Sequence, residues 1–182
     1  MFALFATLML VTAIAPRQGQ APPSSSGERA PVAPNGRSAT AAVASLTADE
    51  ALVVQIVNEE RRANGLQALQ LDALLVQVAR EHSSDMASRG YFGHLAPWPS
   101  PRTPLDRYAA ALGRTPEEIV GENIGRADQP LMAVIHEQMM ASPAHKANIV
   151  DTDYVRVGVG IYTAADGRVW VTEMFTGSGI RD

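Results

Sequence analysis

Residues 154–175 constrain this chain more than any other stretch. In Tyr154-Val155-Arg156-Val157-Gly158-Val159-Gly160-Ile161-Tyr162, apolar side chains recur at every second position. That period places them on one face of a strand, which must be buried. Asp166-Gly167 is a two-residue hairpin signal, and Arg168 to Phe175 supplies the returning strand. Gly158 and Gly160 mark places where a neighbour can pack against the strand closely. An isolated hairpin is marginal in water, so the segments before it have to cover it.

Those segments read as helices. Thr47 and Glu50 have capping-box spacing, and Leu52, Val53, Ile56 and Val57 form one stripe on a helix ending near Gly65. Asn58, Glu59, Arg61 and Arg62 fall toward its other side or end. Asp72 caps a second helix with Leu75, Val78, Ala79, His82 and Met86 at helical spacing, stopped by Gly90. His82, on that apolar face, reads as a core histidine with a hydrogen-bond partner. Tyr91 to Pro101 contains three prolines and is irregular; it carries His94. Thr103, Pro104 and Asp106 start a third helix with Leu105, Tyr108, Ala109 and Leu112 as its buried side, ended by Gly113. Thr115-Pro116-Glu117-Glu118 repeats the start signal for a short helical turn.

Gly121-Glu122-Asn123-Ile124-Gly125 sets a carboxylate between glycines, where it can approach a neighbouring chain or an ion; the plainer reading is a turn. Leu131, Val134, Ile135 and Met139 give the next helix its apolar face. His136-Glu137-Gln138-Met139-Met140 begins like a zinc-peptidase motif, but Met140 stands where the second histidine is required, so that reading fails. Ser142 and Pro143 suit the cap and first position of a short helix. His145 then falls in its first turn, pointing out at the positive helix end, which favours the neutral imidazole. Helices followed by a terminal hairpin, without βαβ alternation, argue for an α+β domain with helices over a small antiparallel sheet.

Outside this region the chain changes character. Residues 2–15 are uncharged and apolar, short for a membrane span and similar to the core of an export signal. No basic residue precedes them and Pro16 follows Ala15, so cleavage and retention as an N-terminal anchor both stay open. Residues 16–46 are rich in Pro, Ser, Gly and Ala and read as a disordered linker. The domain is expected over 47–177, with 178–182 as a tail. The net charge of −4 and the lack of a basic stripe argue against nucleic acid as a partner. The chain has no cysteine, which excludes disulfides, thiolate metal sites and cysteine nucleophiles.

Val57-Asn58-Glu59-Glu60-Arg61 with Gly65-Leu66 and Leu69, Ala79 to Met86, Phe92-Gly93-His94, Gly121-Glu122-Asn123-Ile124, Ser142 to Ile149, Val157-Gly158-Val159-Gly160 and Thr172 to Phe175 occur in an order and spacing that resemble one family. It is the CAP superfamily, or SCP domains, in its short, cysteine-free bacterial branch. The resemblance implies a three-layer α-β-α sandwich and a central cleft where two His and two Glu can hold a divalent metal such as zinc. His94, Glu122 and His145 carry over as cleft and metal residues. The second family glutamate does not: its place falls at Ser142, with Met139 in place of a tryptophan and Glu137 out of register. Glu173 stands where the family usually has glutamine. Three ligands with an incomplete outer shell would hold a metal more weakly.

The expected function is that of an extracytoplasmic binding module, monomeric, for a small-molecule, lipid or cell-envelope ligand. No nucleophile stands out in the sequence. The alternative is a metal-assisted hydrolase in which His94 and His145 hold zinc and Glu122 is the general base. A third reading has these side chains only hydrogen-bonding one another.

Overall fold

The computed structural model describes residues 12–14 and 45–178. Most of the N-terminal segment 1–15, nearly all of the linker 16–46 and the tail from 179 lie outside the described residues. Among the described residues ten elements follow in order: β1 (Thr12–Ile14), α1 (Ala48–Ala63), β2 (Gln70–Leu71), α2 (Ala73–Arg89), α3 (Pro104–Leu112), β3 (Ile119–Ala127), α4 (Met132–Ala141), α5 (Pro143–Ile149), β4 (Tyr154–Thr163) and β5 (Val169–Gly177). The strands form one sheet in the order β1-β3-β5-β4-β2. All pairings are antiparallel except β2 with β4, which is parallel, so the sheet is mixed rather than purely antiparallel.

Local chemistry explains the helix ends. Thr47 and Glu50 form a complete capping box on α1, and Thr103 and Asp106 another on α3. Asp72 caps α2 through the Leu74 and Leu75 amides. Gly90 ends α2 at a φ of 68°, a left-handed conformation that side chains disfavour. Ser142 precedes α5 but makes no capping hydrogen bond with its side chain. Thr115 to Glu118 forms bends rather than a helical turn. On α3, Leu105 is 45% exposed, while Pro104, Arg107 and Tyr108 are the buried residues.

Helices cover both faces of the sheet. α1, α4 and α5 bury one face: Val53, Val57, Ile135, Met139 and Ile149 pack with Val157, Val159, Val171 and Phe175. α2 and α3 bury the other, where Leu75, Val78 and Tyr108 meet Met174. This is the expected α-β-α sandwich. Arg61, 2% exposed, ties α1 to the far end of the core. It donates to the carbonyls of Gln67, Ile149, Asp151 and Tyr154. No helix among the described residues is long and apolar enough to cross a membrane.

Gly158 and Gly160 let α2 lie directly on β4. A Cβ at Gly160 would overlap the Arg80 amide nitrogen and the Ala79 carbonyl carbon, which are helix backbone and cannot turn aside. Gly160→Ala is therefore expected to destabilise the fold by about 1–3 kcal/mol through overpacking. The measurement is the denaturant midpoint, and an unchanged midpoint would contradict this packing.

Candidate functional site

The pentapeptide Gly121–Gly125 lies within β3, not in a turn. Pairing on both sides overrides the weak strand propensity of its glycines and asparagine: Glu122 is paired with Met174 of β5 and with Ile14 of β1. Consecutive strand residues face opposite ways. Glu122 faces α2 and α3, and Asn123 faces α5.

The Glu122 carboxylate is fully buried. The His94 Nδ1 lies 2.7 Å from its Oε1, and an Arg107 guanidinium nitrogen donates to its Oε2 at 2.5 Å. Arg107 also donates to the His94 carbonyl, which fixes the loop that carries that histidine. The His82 Nε2 stands 3.8 Å from Glu122 Oε1 without a hydrogen-bond partner. Burial pushes the Glu122 carboxyl up, but the His94 hydrogen bond and the Arg107 charge outweigh it and hold Glu122 below the usual carboxylate range. Burial pushes His82 down to about 4, partly opposed by the Glu122 charge, so it is neutral at pH 7. Its Nδ1 lies 3.4 Å from the Tyr91 hydroxyl, the partner expected of a core histidine.

The opposite face of β3 holds a second polar group. Asn148 of α5 donates to the Asn123 side-chain oxygen and the Glu122 carbonyl. Asn123 donates to Glu173 Oε2 and to the His145 carbonyl. Glu173 is fully buried and its Oε1 has no partner. Burial pushes its carboxyl up to about 7 despite the Asn123 hydrogen bond. His145 is fully buried in the first turn of α5 rather than pointing outward.

The structure thus joins His94 directly to Glu122. It ties His145 to the neighbouring residue, Asn123, from the other layer. Arg107 and His82 complete the carboxylate's surroundings. Arg107 escaped sequence reasoning because its burial depends on a partner on another element. The only local sign was its place one turn after the Thr103 cap, beside Tyr108. This arrangement does not fit a divalent cation. Both Glu122 oxygens are engaged, one by a guanidinium that would repel a metal ion, and no group of three His, Asp or Glu among the described residues is disposed to hold one. On α4, His136 is buried with neither ring nitrogen partnered, and it has no second histidine one turn on.

A mixed sheet between two helical layers is the architecture this chain shares with a solved SCP-domain protein. The chain belongs to the cysteine-rich secretory protein (CAP) family, whose family model matches residues 54–175. It is 32% identical over 139 residues to the uncharacterized protein YkwD of Bacillus subtilis, covering 76% of this chain and 51% of that one. It is similar to an extracellular protein containing an SCP domain from Bacillus anthracis, with a TM-score of 0.61 and 27% identity over 71% of this chain and 40% of that one. An outer surface protein of Borrelia burgdorferi shares the fold, with a TM-score of 0.62 and 18% identity over 71% of this chain and 92% of that one. The chain spans about half the length of YkwD, and less of the Bacillus anthracis protein.

Proposed function

We propose that this protein is an extracytoplasmic binding module that engages a lipid or cell-envelope ligand at the rim formed by the His94 loop, with the Glu122 cluster as the polar floor beneath it. The carrying observation is the loop itself. Leu95, next to His94, is 49% exposed, and Trp98 is 86% exposed. The loop is held in shape by Arg89, which donates to the Pro97 and Trp98 carbonyls and to Ser100 Oγ. An exposed indole and an exposed leucine on a loop whose backbone is held in this way suit an amphipathic ligand, because less backbone ordering entropy remains to be lost on binding. The extracellular Bacillus anthracis relative supports an extracytoplasmic place.

The floor is neutralised by the protein's own groups: Glu122 is balanced by Arg107, whose guanidinium holds the carboxylate oxygen that a general base would need. That favours binding over the hydrolase reading. The test is co-sedimentation of the full-length protein with phosphatidylglycerol vesicles and, separately, with cell-wall sacculi. The wild type is expected to pellet with at least one of them, to do so equally in EDTA, and to lose most of its binding in Trp98→Ala. Wild-type protein that stays in the supernatant with both would overturn the reading, and binding abolished by EDTA would restore a metal to the site.

A further inference from the structure

The edge of β3 away from β5 is paired with a short strand from far upstream. Thr12, Ala13 and Ile14 lie opposite Ile124, Asn123 and Glu122 in an antiparallel ladder, and the strand also packs beside α5. Residues 15–44 separate this strand from the domain proper, so nothing local in sequence places it there. Without it, β3 would present a row of unpaired N–H and C=O groups next to the Glu122 and Asn123 networks. Native proteins seldom leave such an edge bare, because it pairs with other chains.

We infer that the edge of β3 away from β5 is a peptide-binding edge, which takes an extended, uncharged peptide segment antiparallel to Glu122–Ile124, and that Thr12–Ile14 is its occupant within the chain. Adding a strand to a sheet edge draws affinity from the main-chain ladder and leaves side chains to set preference. The occupant's sequence, Thr-Ala-Ile, gives the class: small or β-branched, with no charge. The ladder is made by backbone groups of β3, so this site does not depend on the vesicle or cell-wall reading of the His94 loop. A tethered strand competes at an effective concentration in the millimolar range, so a peptide in trans binds well only when the tethered strand is displaced or removed.

The test uses the full-length protein and its Ala13→Pro, Ile14→Pro double variant. Adjacent residues alternate in which groups face the partner strand, so two consecutive prolines remove a ladder N–H in either register. A fluorescent peptide of residues 10–16, with blocked termini and no charged side chain, is titrated by anisotropy. The double variant is expected to bind it at least about tenfold more tightly than the wild type. A peptide N-methylated at Ala13 and Ile14 is expected to lose that binding. Hydrogen exchange provides the second readout: amides within Gly121–Gly125 lose protection in the double variant and regain it with the peptide. Three results would each overturn the inference: a double variant that ignores the peptide, equal binding of the N-methylated peptide, or β3 amides indifferent to the prolines.

Discussion

Replacing Glu122 with glutamine is expected to lower the unfolding free energy by about 3–5 kcal/mol. Arg107 is 8% exposed and donates to Glu122 Oε2, so the substitution leaves a guanidinium buried without its counter-charge. The penalty is chiefly that of the stranded charge. Adding Arg107→Met should therefore recover at least about 1 kcal/mol, making the double variant more stable than Glu122→Gln alone. Chemical denaturation of the wild type, both single variants and the double variant measures the coupling. A loss below about 1 kcal/mol for Glu122→Gln would mean that the pair is solvated and the cluster open. Acid acts in the same direction. The Glu122 carboxyl is depressed in the fold, so the stability it contributes is present above the ordinary carboxylate range and is lost as pH falls through the folded value.

The second large effect has the opposite sign. Glu173→Gln is expected to stabilise the protein at pH 8, by about 3 kcal/mol, and to leave it nearly unchanged at pH 4.5. The folded Glu173 carboxyl titrates at about 7 against an ordinary 4.5, because burial disfavours its charge. Between those values the native state holds a proton that the unfolded chain has released, so stability falls as pH rises across that window. His82, pushed down to about 4, works the other way: between about 4 and 6.5 the unfolded state binds the extra proton, and stability rises with pH. The two slopes offset one another in the wild type. The difference between wild type and Glu173→Gln isolates the glutamate, and equal stability of the two at pH 8 would refute its raised titration.

What the sequence made legible was local. The Thr47 capping box, the helix start at Thr103, the Asp72 cap, the Gly90 stop and the alternation in β4 depend on residues a few positions apart, and all appear in the structure. β3 was hidden because Gly-Glu-Asn-Ile-Gly reads as a turn until strands on both sides supply its hydrogen bonds. The site was half legible. His94 and Glu122 were expected together and lie together, but their third companion is Arg107, on the buried face of α3, while Leu105, expected on that face, is turned to solvent. Charge burial is set by a partner that adjacency in sequence does not reveal.

The Arg61 guanidinium bridges carbonyls 88, 90 and 93 positions downstream. Closing a ring of that size costs about 4 kcal/mol of chain entropy beyond a constant term. Capped helices form in about a microsecond, so they are ready long before this ring can shut. Folding speed should therefore follow topology, with the connection from α5 into β4 set only after the first helix has found the end of the core.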